Sequence, residues 1–264
     1  MTTVPRTPWL QTPAPRPGAR LRLFCLPPAG AGPSFYRRWA NRLPADVELR
    51  AVHLPGREAR FSEPLLTDYP SALAELYAAM RPELDRPYAL FGHSMGALFA
   101  HGLALTAARL GERGPEQLLL SGCGGPGTEP PKPGRAGWSD EEFVADLRTM
   151  GGTSEEVLAN PELLELLLPV LRADFTLCDS YLAEPPSGPL LHCPLTLLGG
   201  EEDHYSAEDI ARWTVVTAGA STQHAFPGGH FYLAGESADA ALDTVAAALA
   251  GPAEPVLGTG VLAK

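Results

Sequence analysis

The chain has 264 residues, a formal net charge of -11 at pH 7 and a pI near 5.1. That balance argues against nucleic acid, whose phosphates require clustered Lys and Arg, and against an anionic membrane surface. A chain this long buries roughly three quarters of the surface its unfolded form exposes, and its four cysteines (Cys25, Cys123, Cys178, Cys193) form no CxxC pair, which fits a reducing, cytoplasmic compartment.

Residues 1–19 read as a Pro-rich leader with no apolar core of a secretory signal, although Trp9 and Leu10 are candidates for a short edge strand. From 20 to 250 a single α/β domain is expected. Apolar runs at 21–26, 47–54, 88–92, 117–122, 195–200 and 222–228 read as strands, and helical patterns occupy 34–43, 68–84, 94–111, 206–214 and 235–250. Alternation of this kind is the mark of βαβ units and a mostly parallel sheet flanked by helices. Residues 124–190 break the pattern. They open with GGPGTEPPKPGRAG and continue as helices, with a capping box from Ser139 to Glu142 and with Leu163, Leu164, Leu166, Leu167, Leu168 and Leu171 crowding one side of 161–182. A helical lid over the carboxyl edge of the sheet is the expectation. Residues 251–264 form a Gly and Pro tail. No apolar run is long enough for a membrane-spanning helix, so a soluble protein is expected.

The chemistry is concentrated where the strand at 88–92 runs into Gly92-His93-Ser94-Met95-Gly96 and then a helical pattern. This is the G-x-S-x-G nucleophile elbow of an α/β-hydrolase fold, in which a strained turn exposes the serine and glycines allow strand and helix to approach. A serine hydroxyl needs a base, and the base a carboxylate. The order serine, acid, histidine is met by LTLLGGEEDHYS and then AFPGGHFYL. Of seven histidines, His230 is the best base, since a glycine pair places it on a loop between the last strand and the last helix. Glu201, Glu202 and Asp203 all follow the preceding strand and leave a choice, with Asp203 favoured. Met95 would supply one oxyanion N–H. The second would come from the loop after the first strand, where Pro27 and Pro28 carry no amide hydrogen and Ala29 is the earliest donor.

Together, LFCLPPAGAGPSFYRRWA, VHLPGREARFSEP, FGHSMGA, WSDEEFVADLRTMGG, LPVLRADF, LGGEEDHY and FPGGHFYL resemble the type II thioesterases of polyketide synthase and nonribosomal peptide synthetase pathways. The resemblance spans most of the chain. It implies an α/β-hydrolase fold with a helical lid and hydrolysis of acyl thioesters from the phosphopantetheine arm of acyl or peptidyl carrier proteins. It also implies Ser94, His230 and Asp203 as the triad and Met95 and Ala29 as the oxyanion donors. No metal or cofactor of the chain's own is implied, the phosphopantetheine belonging to the partner. Two departures stand out: A-G-A replaces the common A-G-G in the first loop, and Glu201 stands where aspartate is frequent. Arg37, Arg38, Arg57 and Arg60 are candidates to meet an acidic carrier. The rival readings are a carboxyl-ester hydrolase and a non-catalytic ligand-binding member of the fold.

Overall fold

The computed structural model describes residues 7–129 and 134–250; the tail at 251–264 lies outside them. Seven strands form one sheet: β1 (Leu10–Gln11), β2 (Leu21–Leu26), β3 (Val47–Val52), β4 (Tyr88–His93), β5 (Gln117–Ser121), β6 (Leu195–Gly200) and β7 (Ser221–Phe226), in the order β1-β3-β2-β4-β5-β6-β7. Only β1 is antiparallel, pairing Leu10 with Val52 at the edge. The chain steps outward from β2 to β3, then crosses back to place β4 on the other side of β2. The sheet therefore has its switch point between β2 and β4, and a crevice opens there at the carboxyl ends of the strands.

Side-chain alternation explains why both faces are covered. Phe24, Leu26, Leu90 and Leu118 point to one face, against α1 (Tyr69–Met80) and α2 (Met95–Arg109). Leu23, Cys25, Phe91 and Leu119 point to the other, against Tyr36, Trp39 and α7 (Ala238–Leu249). Edge strand β7 exposes Ser221, Thr222, Gln223, His224 and Ala225, a polar rim that discourages pairing with another chain.

The pattern at 34–43 is not one helix. It is two 3-10 turns, Pro33–Tyr36 and Trp39–Asn41. Tyr36 and Trp39 are three apart, the spacing that a 3-10 turn eclipses, and both rings pack edge-on against Phe91 at 5.9 and 4.8 Å. The expected helix at 206–214 is likewise a short helix α6 (Ala207–Ala211) followed by a 3-10 turn.

Between β5 and β6 the insertion carries α3 (Asp140–Met150), α4 (Glu155–Leu158) and α5 (Pro161–Ala183). Both halves of the Ser139–Glu142 capping box form. Phe143, Leu147, Leu158, Leu168 and Leu171 make a small core of their own. Leu163 and Leu166 do not join it; they lie on the outer side of α5 and are 40% and 52% exposed.

Candidate active site

The elbow has the geometry its glycines suggest. Ser94 has φ 54° and ψ -120°, and Glu58 is the only other non-glycine residue of positive φ among those described. The Ser94 N–H donates to the Ser121 carbonyl at 2.8 Å, which fixes the strained residue to the neighbouring strand. A Cβ on Gly92 would come 2.0 Å from the Gly96 carbonyl oxygen, and one on Gly96 would come 2.1 Å from the Leu26 carbonyl oxygen. Both obstacles are backbone. Gly96→Ala should therefore push the β2 loop off the elbow, cost about 3 kcal/mol by overpacking and lower the thermal midpoint by roughly 6–12 °C in a chain of this size. A melting curve checks this; an unchanged midpoint would show that the loop yields freely.

Three loops at the carboxyl edge bring Ser94, His230 and Asp203 together. His230 Nε2 lies 2.9 Å from Ser94 Oγ. His230 Nδ1 lies 2.9 Å from Asp203 Oδ2 and 3.1 Å from Oδ1. Loops β6 and β7 are joined by backbone: the N–H groups of Glu201 and Glu202 donate to the Phe226 and Gly228 carbonyls at 2.8 and 3.0 Å. Those bonds leave the Glu201 and Glu202 side chains exposed and turn the third acid inward. Asp203 has a fully buried carboxylate that also accepts from His204 Nδ1 at 3.0 Å. Burial alone would raise its pKa, but the hydrogen bonds and charges of His204 and His230 hold it well below the usual aspartate range.

Behind His230 lies His93, which the sequence marks only as the variable residue of the elbow. His93 is fully buried, with its ring centroid 5.1 Å from that of His230. Its Nδ1 lies 2.8 Å from Ser121 Oγ, which in turn is 2.6 Å from the Tyr232 hydroxyl. The available signal was the polar residue ending each of two adjacent apolar strands, since His93 and Ser121 are register partners. Burial, reinforced by the neighbouring His230, brings the His93 pKa down to about 3, so its ring is neutral.

His101, buried in α2 against Trp213 at 5.0 Å, is lowered to about 4 by burial and then by Arg109. An unfolded histidine takes up a proton near pH 6.5 that neither of these folded sites accepts. Stability is thus complete above pH 6.5 and declines as pH falls toward the folded values, by up to about 1.4 kcal/mol per pH unit for each ring. His101→Phe should flatten the slope between pH 6.5 and 5 in urea melts at stepped pH; an unaltered slope would reject this origin.

Met95 is the first residue of α2, so its N–H has no acceptor within the helix. Ala29 sits in the β2 loop, and the close contact of Gly96 with the Leu26 and Pro27 carbonyls lays that loop against the elbow. Above Ser94 and His230 is a chamber of about 370 Å³, lined mainly by apolar side chains including Met95, Leu98, Phe175, Tyr181 and Tyr205. Helix α5 supplies Phe175 and Tyr181, so the insertion does cover the site. A more open cleft of about 710 Å³ beside Arg50 and Glu83 contains none of the three site residues. The side chains of Asp203, His204 and His230 also bring potential metal-ligand atoms within 4.8 Å of one another, but these atoms are already engaged in the hydrogen bonds described.

Two of the four candidate arginines are not available to a partner. Arg57 is 6% and Arg60 7% exposed. Arg57 forms a fork with Asp174, while Arg60 pairs with Glu63 and lies 4.5 Å over the Trp9 ring. Arg37 and Arg38 are exposed.

A thioesterase-domain family model matches residues 21–249. The chain belongs to the thioesterase family. It is a serine hydrolase of the α/β-hydrolase fold. The protein named linear gramicidin dehydrogenase LgrE, of Brevibacillus parabrevis, is 38% identical over 86% of this chain and 88% of its own length. Thioesterase PikA5 of Streptomyces venezuelae is 36% identical over 85% of this chain and 80% of its own. Among solved structures, the type II thioesterase BorB from the borrelidin biosynthetic cluster superposes with a TM-score of 0.83 at 36% identity, covering 92% of this thioesterase and 98% of BorB.

Proposed function

We propose that this thioesterase is an editing, type II enzyme that hydrolyses acyl groups from the phosphopantetheine arm of acyl or peptidyl carrier proteins in polyketide or nonribosomal peptide assembly. The observation that carries the reading is the continuous Ser94–His230–Asp203 hydrogen-bond chain beneath an apolar chamber. The likeness to BorB and PikA5 supports the pathway class. The dehydrogenase name of LgrE is not carried over, because the elbow and chamber are built for acyl transfer.

In this mechanism Ser94 Oγ attacks the thioester carbonyl while His230 Nε2 takes its proton, and Asp203 holds His230 in the tautomer with a proton on Nδ1. The N–H groups of Met95 and Ala29 face the oxyanion. Collapse of the tetrahedral intermediate breaks the C–S bond, and the thiol leaves with the proton from His230. A water then gives its proton to His230, attacks the acyl-serine and releases the carboxylic acid. The chain brings no cofactor of its own to these steps. Phosphopantetheine arrives on the partner, and the cytoplasm is the setting that suits such a partner.

Among the described residues, no helix is long and apolar enough to cross a membrane. Hydrolysis of an acyl-carrier thioester should exceed that of the matching oxygen ester by at least about tenfold in kcat/KM. Equal or faster ester turnover, with no gain from the carrier, would return the assignment to a carboxyl-ester hydrolase.

A further inference from the structure

We propose that Asp174 of the lid, gripped by Arg57, is a positioning residue for the oxyanion loop, so that helix α5 sets the orientation of the loop's backbone donors. The inference rests on the reading of Ser94 and Ala29 given above. Asp174 is fully buried and makes three close bonds. Arg57 Nη1 and Nη2 reach its two oxygens at 2.6 and 2.8 Å, and the Gly30 N–H donates to Oδ2 at 2.7 Å. Arg57 Nη1 also donates to the Ala31 carbonyl at 3.3 Å. Both sides of the Ala29–Ala31 segment are thereby fixed, one by the acid of the lid and one by its arginine.

The geometry of the turn shows what the carboxylate controls. The Ala31 N–H donates to the Pro28 carbonyl at 3.1 Å, and Gly30, the third residue of the turn, has φ 77°, as a type II turn requires. Ala29 is its second residue. A flip of the central Ala29–Gly30 peptide to the type I form turns over the Ala29 carbonyl and the Gly30 N–H. Here a flip would point the Ala29 carbonyl at the Asp174 carboxylate, oxygen against oxygen. The acid therefore holds the turn in its type II form, in which the Pro28–Ala29 peptide that carries the Ala29 N–H is tied through its carbonyl to the Ala31 N–H.

Stability alone is a weak reason to retain this pair, since well-packed apolar side chains commonly do as well as a buried ion pair. Its position suggests a role in catalysis. One turn earlier on α5, Leu171 packs so closely that a Cβ on Gly30 would lie 2.5 Å from its Cδ2. One residue later, Phe175 lines the acyl chamber. An acyl group pressing on α5 thus acts on the same helix that holds the oxyanion loop.

The test is the double variant Arg57→Met/Asp174→Leu, which removes both charges at similar volume, compared with Asp174→Asn. Each is assayed with an acyl thioester and for binding of an alkyl trifluoromethyl ketone, which adds Ser94 to form a tetrahedral oxyanion. The folded double variant should lose about 10²-fold in kcat, keep KM within about threefold and lose ketone affinity in parallel with kcat. Full kcat in a folded variant, or a loss confined to KM with ketone affinity intact, overturns the proposal.

Hydrogen exchange on the unmodified protein provides a readout independent of whether the variants fold. The Gly30 amide should exchange together with α5, and exchange uncoupled from α5 also overturns the proposal. Ser94→Ala separates the two readings: an active Ser94→Ala protein defeats the catalytic assignment itself, whereas an inactive one beside a fully active double variant defeats only the role of Asp174.

Discussion

Replacing Ser94 with alanine is expected to lower kcat for thioester hydrolysis by about five to six orders of magnitude while leaving the fold intact. The size follows from the unit character of a nucleophile and its base, whose single removals each cost about as much as removing the whole set. The fold should survive because the Ser94 side chain makes no capping bond to α2 and bonds instead to His230. The strained backbone is held instead by the Ser94 amide on Ser121 and by the glycines at 92 and 96, none of which the substitution alters. His230→Ala should fall to a similar level, and the double variant little further. Single-turnover hydrolysis beside a melting curve checks all three. Activity above about 1% in Ser94→Ala would reassign the nucleophile, since only the oxyanion site and substrate binding should survive its loss.

What the sequence made legible was local. The elbow could be read because the two glycines that permit the close approach of strand and helix are two residues either side of the serine. The lid could be read from the Ser139–Glu142 box and the run of leucines, but not which leucines it buries. Leu163 and Leu166 share the helical stripe in sequence, yet the lid core forms against Phe143 and Leu147, which contact only the inner side of α5. The acid was ambiguous because three candidates follow one strand. Backbone bonds from Glu201 and Glu202 to the β7 loop leave Asp203 as the one of the three that faces His230, and these bonds depend on a strand that begins only at Ser221. Arg57 and Arg60 read as surface charges by type. Their burial depends on partners such as Asp174, 117 positions beyond Arg57, and no local pattern encodes that pairing.

The sharpest test of the acid is Asp203→Asn, expected to lower kcat by about 10⁴ with the three side chains still in place. An asparagine amide presents one acceptor and one donor where the carboxylate presents two acceptors. The carboxylate now serves both His204 and His230, so the amide must leave one histidine facing its NH₂. A His230 turned to the other tautomer carries its proton on Nε2 and can no longer take one from Ser94. Stability gives a second readout with a defined sign. Because the folded pKa of Asp203 lies below its ordinary value of 3.8, its ionised form contributes stability that is complete above that value and is lost as pH falls through the lower one. The stability gap between the parent and Asp203→Asn should therefore be constant above about pH 5 and narrow in stronger acid. Glu202→Gln, altering an exposed side chain, should change kcat by less than about twofold. A larger loss from Glu202→Gln than from Asp203→Asn would transfer the orienting role to the glutamate and require the β6 loop to rearrange when substrate binds.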